Sequence, residues 1–368
     1  MNVGMRKLMR LMVLNLALLL LAPAMHGPRD RHFGEKGAGS GGVFAATIDS
    51  KALDSLYQAA KKEGQVVFWG PTDPEHIAPV AAAFKRQFPG IEVTHFEIQP
   101  PEYTQRLVAE AQAGRTPEAD IIELGPREIV ALKGRGLLLT FTDWQLLFGL
   151  PREHVYGGGI GVTFYDLPHI VAANTNLLKR ADFPKTWDEL LSPKWKGKII
   201  LEQRVQNVGG LGLVKGEDWL VKFATGLKNQ QPIYVQGGTP AFNQLVGGQA
   251  PISIGPYLHH VLGAKKKGEP VDLIALSPML VSPRPTGVLS KARHPNAGRL
   301  LAGWLSTAPA QKILEDASSR GSASPGSGTQ TAELLRKSGV ELIVDNESLA
   351  VKRVEFEKLM QKVMGITK

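Results

Sequence analysis

Apolar residues along this chain follow two alternating patterns, short continuous runs and longer stripes with helical spacing. Continuous runs at 65–69, 91–96 and 119–124 predict three buried strands. A helix is predicted between the first two by a stripe whose members are Ile77, Val80, Ala81, Phe84 and Phe88. A second helix is predicted over 103–113. Strands that alternate with helices at this spacing pair in parallel through right-handed crossovers, so this part of the chain predicts an α/β lobe.

The second half of the chain repeats this alternation after a long extended segment. Residues 162–174 are predicted to cross between two lobes, and residues 281–287 to return to the first one. Strands at 252–255 and 271–276 lie on either side of a helix predicted over 257–267. A chain of 368 residues also exceeds the size of one small core, which favours two lobes.

We expect the chain to leave the first lobe and later to come back to it. We expect the first part of lobe 1 at 49–165 and the first part of lobe 2 at 166–281. The return to lobe 1 is expected at 282–320. Residues 321–368 are expected to form C-terminal helices that close on lobe 2.

Glycine-rich and C-terminal segments lead to local predictions. The glycines at 157–159 and 209–210 do not complete a dinucleotide-binding fingerprint, and both groups are predicted to be turns. The Ser/Gly-rich segment 318–328 predicts a mobile loop. Residues 351–366 predict a surface helix.

The N-terminus has the order of a cleaved export signal. Three basic residues within 1–10 precede an apolar run at 11–21, and the small residues at 22–24 offer a cleavage site. The apolar run is shorter than the ~20 residues that a membrane-spanning helix needs. We therefore expect a signal peptide at 1–24, a disordered segment at 25–48, and an exported, soluble protein.

The segment 186–202 reads T-W-D-E-L-L-S-P-K-W-K-G-K-I-I-L-E. Thr186 is expected to cap a short helix, with Glu189 completing a capping box. Trp187 and two leucines share one helical face, and Pro193 ends the helix. An apolar strand follows at 199–201.

The sequence of this segment resembles the corresponding segment of the extracellular solute-binding proteins of ABC transporters, and most nearly that of their ferric-ion-binding branch. Three further motifs carry the same resemblance: P-E-A-D-I-I at 117–122, K-G-R-G-L-L at 133–138, and H-P-N-A through W-L to Q-K-I-L at 294–314. The resemblance covers the chain from about residue 65 to the C-terminus. It implies a two-lobed type 2 periplasmic-binding-protein fold of α/β class, in which each lobe is a mostly parallel sheet flanked by helices and a hinge joins the lobes.

Composition and motifs exclude several kinds of site. The chain has no cysteine, which excludes disulfides, thiolate metal sites, a cysteine nucleophile and a lipid-modified N-terminal cysteine. The net charge is +9, but the basic residues are scattered and form no stripe of the kind that binds nucleic acid. No motif assembles a nucleophile with a base, so we expect a binding protein and not an enzyme. A secreted enzyme on the same fold is the alternative.

In open parallel sheets, ligands bind outside the carboxyl ends of the strands, where loops lead into helix N-termini. The candidate ligand-binding residues in lobe 1 are Thr72, Asp73 and Glu123. Those in lobe 2 are Arg204, Asn207, Thr239 and Tyr257. Each has an ordinary structural alternative: Thr72, Asp73 and Thr239 can cap helices, Glu123 can be a strand-end charge, and Arg204 can be solvated.

Two classes of ligand follow from these residues. The family resemblance implies ferric ion, because Tyr257 matches the first of two adjacent tyrosines that the ferric-binding relatives use. Leu258 stands where the second would be, and a hard trivalent cation needs several anionic oxygens. Arg204 and Arg284, with glycine-rich helix starts, instead favour a small organic or phosphorus-containing anion. At this stage both classes stay open, and Tyr257 is a metal ligand only for ferric ion.

The resemblance implies the solute-binding component of an ABC importer. Such a protein captures its solute between the lobes and delivers it to a membrane ABC permease. We expect a periplasmic protein without a cofactor, unless Fe³⁺ is counted as the transported ligand, and without a nucleic-acid partner.

Overall fold

The structure, a computed structural model, describes residues 48–366. The predicted signal peptide and nearly all of the predicted disordered segment lie outside these residues. Thirteen helices are numbered here in chain order: α1 Ser50–Glu63, α2 Pro74–Gln87, α3 Pro100–Gln112, α4 Pro126–Lys133, α5 Trp144–Phe148, α6 Gln206–Lys215, α7 Glu217–Asn229, α8 Gly238–Val246, α9 Leu258–Lys266, α10 Pro295–Leu305, α11 Ala308–Ser318, α12 Gln330–Ser338 and α13 Glu347–Met364. None of these helices is long and apolar enough to cross a membrane.

Eleven strands make up the sheet structure: β1 Gln65–Gly70, β2 Glu92–Glu97, β3 Ile121–Glu123, β4 Val155–Tyr156, β5 Gly161–Asn174, β6 Ile199–Glu202, β7 Ile233–Val235, β8 Ile252–Tyr257, β9 Val271–Ile274, β10 Met279–Val288 and β11 Leu342–Val344. Their order is β2-β1-β3-β10-β5-β8-β6-β7, with β4 and β9 paired to β5 and β11 paired to β10. The predicted strands and the crossing segment are confirmed, with ends that differ by up to a few residues.

Parallel pairing dominates each end of this order. Strands β1, β2 and β3 pair in parallel, and so do β6, β7 and β8. Strand β10 runs antiparallel to β3 and to β5. We call β1–β4, β10 and the helices packed on them lobe 1, and β6–β9 with their helices lobe 2. The fold is the predicted two-lobed α/β arrangement.

Strand β5 belongs to both lobes. Its first half pairs with β10, where Tyr165 lies opposite Arg284. Its second half pairs with β8 and β9, and His169 there lies opposite Tyr257. This strand and β10 are therefore the connections about which the lobes would move. The predicted lobe boundaries in the chain remain predictions.

The segment 186–202 forms much of the lobe 2 core. Trp187, Leu190 and Trp195 are buried, and the Trp187 indole N–H donates to Pro278 O at 3.0 Å. The predicted helix is a 3₁₀ turn, Asp188–Leu191, because Pro193 leaves no length for an α-helix. Thr186 Oγ1 accepts from Glu189 N as predicted, but the Glu189 carboxylate accepts from Lys185 N and not from Thr186.

Gly209 and Gly210 were wrongly predicted to form a turn, since both lie inside α6. A Cβ atom on Gly209 would lie 2.8 Å from Glu357 Cγ and 3.1 Å from the Glu357 backbone, and one on Gly210 would meet Leu280 at 2.7 Å. The two glycines therefore let α13 and β10 approach the helix closely. The prediction for 157–159 is confirmed, because these three glycines have positive φ angles in a turn.

The Ser/Gly-rich segment 318–328 does not have the contacts of a mobile loop. Ser319, Ser322 and Ser327 are buried, and Ser322 donates to the Asp166 carboxylate. Small side chains let this segment pack closely, which the composition of the sequence does not distinguish from flexibility.

Helix α13 was predicted to be a surface helix, but it carries a buried ion-pair network. Arg353 and Glu357 are both buried and pair with each other. Arg353 also donates to Asp345 at 2.8 Å, and Glu357 pairs with Arg127 of α4. Because removing one partner of a buried pair leaves an uncompensated charge, this network is a strong constraint on where α13 packs.

The close approach at Gly209 leads to a stability prediction. We expect Gly209→Ala to lower the free energy of unfolding by about 1–3 kcal/mol, because the added methyl group overpacks the contact with α13. Gly263→Ala is the matched control inside α9, where a Cβ atom would meet only Ser319 Oγ at 3.7 Å. That variant should be neutral or gain up to about 1 kcal/mol of helix propensity. Equal denaturant midpoints for the two variants would contradict the packing described.

Candidate functional site

The carboxyl ends of β1 and β3 in lobe 1 and of β6 and β8 in lobe 2 are directed towards the middle of β5, and we call the region between them the cleft. Glu123 and Tyr257 are the last residues of β3 and β8, and Thr72 and Arg204 come two residues after β1 and β6. The two sides face the same part of the sheet, since Glu123 at the end of β3 accepts from Tyr165 of β5, and Tyr257 at the end of β8 lies opposite His169 of the same strand.

The lobe 1 side rests on the buried carboxylate of Glu123. Its Oε2 accepts from Thr72 Oγ1 at 2.8 Å. Its Oε1 accepts from Tyr165 Oη at 2.7 Å and from Arg284 Nε at 3.1 Å. Burial and the Glu123 charge raise the pKa of Tyr165, so its phenol stays protonated and donates. Both carboxylate oxygens of Glu123 are therefore occupied within the protein.

This network fixes three residues that the sequence analysis proposed as candidates: Thr72, Glu123 and Arg284. Thr72 and Glu123 are fully buried and form the wall behind the cleft. Arg284, expected to favour an anion, is the half-buried counterion of Glu123. Its charge is largely offset before any ligand arrives.

Asp73 lies in the cleft itself, at the start of α2. Its side chain is 45% exposed and caps no backbone amide of the helix, although Asp73 occupies the N-cap position that the sequence predicts. Asp73 Oδ2 lies 2.9 Å from His76 Nδ1 and 3.7 Å from an Nη atom of Arg320. The same Arg320 atom lies 3.3 Å from His76 Nδ1. Three ionisable groups thus meet at the rim of lobe 1.

On the lobe 2 side, a second buried carboxylate holds an arginine. Glu202 Oε1 accepts from Arg204 Nε at 2.6 Å and from Gly237 N at 3.2 Å. Arg204 is still 48% exposed, so part of its guanidinium remains open to the cleft. Burial alone would lower the pKa of Arg204, but the neighbouring Tyr257 and Glu202 outweigh burial and raise that pKa.

Tyr257 ends β8 and immediately precedes α9. Its hydroxyl lies beside Arg204 and 3.5 Å from Gln206 Oε1. The ring stacks on His259 at 5.7 Å between centroids and meets His169 edge-on at 4.9 Å. The neighbouring position, Leu258, is fully buried in the apolar core and has no access to the cleft.

The imidazole of His260 connects two helix starts. Its Nδ1 accepts from Tyr257 N at 3.1 Å, so in the neutral ring the proton is on Nε2. Nε2 then donates to Thr239 Oγ1, which lies 3.2 Å away at the start of α8. Burial and Arg320 lower the pKa of His260 to about 4, so the ring is neutral at neutral pH.

Asn207 lies in the first turn of α6 and is buried. Its Oδ1 accepts from Val208 N at 2.9 Å, whereas its Nδ2 has no partner among residues 48–366. Helices α6, α8 and α9 all begin at this edge of lobe 2. Free backbone N–H groups at helix starts favour negative charge, and an unpaired amide donor adds to that preference.

The predicted residues fall into two groups. Asp73, Arg204, Thr239 and Tyr257 are exposed or half-buried, whereas Thr72 and Glu123 are fully buried and Asn207 is buried at a helix start. Sequence reasoning missed His76, His260 and Arg320. The spacing of His76 three residues after Asp73 could have indicated contact on one helical turn. Arg320 gives no signal, because nothing in a Ser/Gly segment predicts where its side chain lies.

A resident metal centre is not evident in this part of the chain. Among residues 48–366, no group of three or more His, Cys, Asp or Glu side chains is arranged to hold a metal ion. The polar groups at the cleft are guanidinium, amide, hydroxyl and imidazole groups, together with the carboxylate of Asp73.

A family model described as bacterial extracellular solute-binding protein matches residues 80–335, which is more than half of the chain. No functionally curated protein matches the sequence.

Solved structures share the fold at low sequence identity. Iron-bound HitA from Pseudomonas aeruginosa is 18% identical, with a TM-score of 0.65 over 82% of this chain and 99% of that chain. The Trichodesmium protein IdiA (FutA), in complex with iron and citrate, is 14% identical, with a TM-score of 0.65 over 82% and 98%. A substrate-binding protein of an ABC transporter from Agrobacterium tumefaciens is 15% identical, with a TM-score of 0.66 over 83% and 96%.

The environment of His260 leads to a pH prediction. Because its pKa in the folded protein is about 4, below the ordinary value of about 6.5, protonation favours unfolding. The folded protein should keep its full stability with respect to His260 above pH 6.5, and it should lose this contribution to the free energy of unfolding as the pH falls towards 4. The pKa difference sets an upper limit of about 3 kcal/mol, which partial exposure reduces to about 1–2 kcal/mol.

This loss is measured as the difference in free energy of unfolding between the wild type and His260→Gln, followed from pH 7 to pH 4. Titration of the imidazole ¹H resonances by NMR, with the variant used for assignment, checks the pKa directly. A midpoint near 6.5 for His260 would contradict the neutral, bridging ring described here.

Proposed function

We propose that this chain, which belongs to the family of bacterial extracellular solute-binding proteins, captures a small anionic solute between its two lobes and delivers it to a membrane ABC permease. The solute would carry a phosphate, phosphonate or carboxylate group. The export order of residues 1–24 supports a periplasmic location.

The observation that carries this proposal is the balance of charge at the cleft. The buried carboxylates Glu123 and Glu202 are both satisfied by protein donors. Arg204 is 48% exposed on the lobe 2 side, and on the lobe 1 side Arg320 lies 3.7 Å from the partly exposed carboxylate of Asp73. Guanidinium groups and helix N-termini are the donors that proteins use for oxyanions.

Ferric ion is the competing ligand, since HitA and the IdiA (FutA) protein both hold iron. At this chain's cleft the anionic oxygens for such a cation would come from Asp73 and a deprotonated Tyr257. A hard trivalent cation prefers several anionic oxygen ligands, and the positive charges of Arg204 and Arg320 would repel it. Leu258 cannot supply a second phenolate, because its side chain is aliphatic and buried in the core.

The hinge strands support capture by closure of the cleft. Strands β5 and β10 connect the lobes, and the cleft residues lie on both sides of them. An anion held by Arg204 of lobe 2 would lie close to the lobe 1 rim at Asp73 and His76. Closure around a solute by such a hinge is the usual motion of two-lobed binding proteins.

Asp73 distinguishes the two ligand classes by the direction of its effect. For an anion, Asp73→Asn removes a repulsive charge and should tighten binding by roughly two- to fivefold. For ferric ion the same change removes an anionic ligand and should weaken binding. Calorimetric titrations with inorganic phosphate, methylphosphonate, citrate and ferric nitrilotriacetate measure the direction.

Asp218→Asn is the matched control for this experiment. It makes the same change in side chain and charge at an exposed position of α7, and it should leave all four affinities unchanged. Weaker binding of ferric ion by Asp73→Asn, with no response to the three anions, would contradict the proposal.

Tyr257→Phe tests the direct contact with the solute. Since the hydroxyl makes only a 3.5 Å contact with Gln206 besides its contact with Arg204, its loss should change the melting temperature of the ligand-free protein little. Anion binding should weaken by about 0.5–1.5 kcal/mol, as expected for one neutral hydrogen bond. Affinity is measured by calorimetry, and the absorbance spectrum is recorded in parallel. A visible charge-transfer band in the wild type that this variant abolishes would identify ferric ion in place of an anion.

A further inference from the structure

Residues 319–324, here called the Arg320 strap, follow directly after α11. The sequence composition predicts a loop without fixed structure, but all six of its residues lie in buried or half-buried positions. Arg320 is the strap's only charged residue. Its side chain is 16% exposed, which is low for an arginine in a connecting segment.

One buried carboxylate, Asp166, fastens the strap to the middle of β5. The Asp166 backbone N donates to Gly321 O at 3.1 Å. Asp166 Oδ2 accepts from Ala323 N at 2.7 Å and from Ser322 Oγ at 3.2 Å. Three hydrogen bonds therefore fix the backbone on the C-terminal side of Arg320.

A second buried carboxylate, Glu315, holds the other end of this region. Glu315 accepts from the backbone N of Gln330 and Thr331 at 2.6 and 2.8 Å, and from Thr331 Oγ1 at 2.9 Å. Gly321 passes so close to this carboxylate that a Cβ atom would lie 2.2 Å from its Oε1. The strap is thus confined between two carboxylates that have no other evident role at the cleft.

The guanidinium of Arg320 lies between the lobes. On the lobe 1 side, one of its Nη atoms lies 3.3 Å from His76 Nδ1 and 3.7 Å from Asp73 Oδ2. Its Cζ lies 6.0 Å from the ring centroid of Tyr165. On the lobe 2 side, the preceding residue Ser319 lies against α9, where a Cβ atom on Gly263 would be 3.7 Å from Ser319 Oγ. Burial lowers the pKa of His260, and the charge of Arg320 adds to that effect.

We infer that Arg320 is a further ligand-binding residue, which contacts the anion from the junction of the two lobes, and that Asp166 is the positioning residue that holds it there. This inference rests on the proposed function, because it assigns a role at the same cleft. An arginine fixed by its backbone loses less conformational freedom on binding than one on a free loop. The strap is also tied to β5, so the position of Arg320 follows the hinge strand.

Anion binding by variants tests the inference, with inorganic phosphate, methylphosphonate and citrate as the probes. Arg320→Gln should weaken binding of the anions that bind by at least about tenfold, since it removes a charge-assisted contact. Asp166→Ala should weaken binding severalfold, because the strap loses two of its bonds. Asp166→Asn should remain within about twofold of the wild type, because one amide oxygen can accept from both Ser322 and Ala323.

A ligand-independent measurement keeps the inference separate from the proposed function. Since Arg320 helps to lower the pKa of His260, NMR titration of that ring reports where the guanidinium is. Arg320→Gln and Asp166→Ala should both raise the pKa of His260, whereas Asp166→Asn should not. A variant that only loosened the fold would lower the melting temperature without this selective shift. Should Asp166→Ala not fold, Ser322→Ala removes one of the same bonds at a buried position and should give a smaller shift in the same direction.

The outcomes separate clearly. If none of the three anions binds the wild type, the proposed function and the ligand-binding role of Arg320 fail together, while the titration still decides the role of Asp166. If anions bind and Arg320→Gln binds them normally, the inference about Arg320 is overturned and the proposed function stands. An unchanged pKa of His260 in both Asp166→Ala and Ser322→Ala would overturn the positioning role.

Discussion

Strand β5 is the element on which the rest of the cleft depends, because it is shared by both lobes. Three of its side chains each fix a different part of the cleft. Tyr165 donates to Glu123 behind the lobe 1 wall, Asp166 holds the Arg320 strap, and His169 packs against Tyr257 of lobe 2. Pairing with β10 on one half and with β8 and β9 on the other fixes the direction of all three. Any movement of the lobes must therefore bend or twist this strand while its side chains keep their contacts.

A common feature of the cleft is that carboxylates lie behind arginines. Glu123 is paired with Arg284, and Glu202 with Arg204, while Asp166 accepts hydrogen bonds from the strap and Glu315 accepts them from Gln330 and Thr331. Buried carboxylates without partners would cost several kcal/mol each, so these contacts are needed for stability. Their consequence for function is that the anionic groups are used within the protein. The donors left at the surface then favour a negatively charged solute, which is the basis of the proposed ligand class.

The sequence predicted the fold well because each lobe relies on local patterns. Runs such as 65–69 and stripes such as that of α2 predict strand and helix directly, and their alternation predicts the parallel pairing seen within each lobe. It failed where tertiary packing overrides local preference. Gly209 and Gly210 were predicted to form a turn, yet they lie in a helix, where the absence of a side chain leaves room for Glu357 and Leu280. The strap was predicted to be mobile, yet it donates two hydrogen bonds to the buried carboxylate of Asp166.

The candidate site could be predicted only where residues lie at the end of a strand or just after it. Arg204 and Tyr257 do so, and neither is fully buried. Thr72 and Glu123 lie at strand ends too, but whether such a side chain faces outwards or is buried depends on Tyr165 and Arg284, which come from distant segments. Arg320 could not be predicted at all, since its position depends on the contact of Asp166 with a segment more than a hundred residues away in the chain.

The identity of the solute that accompanies the protein tests the central claim most directly. Native mass spectrometry of gently purified, full-length protein, followed by denaturation and accurate mass measurement of what is released, reports that solute without a prior choice of probe. The account predicts a small organic or phosphorus-containing anion, with no iron and no visible absorbance. A stoichiometric iron adduct with a visible charge-transfer band would contradict it and identify the cleft as a ferric site.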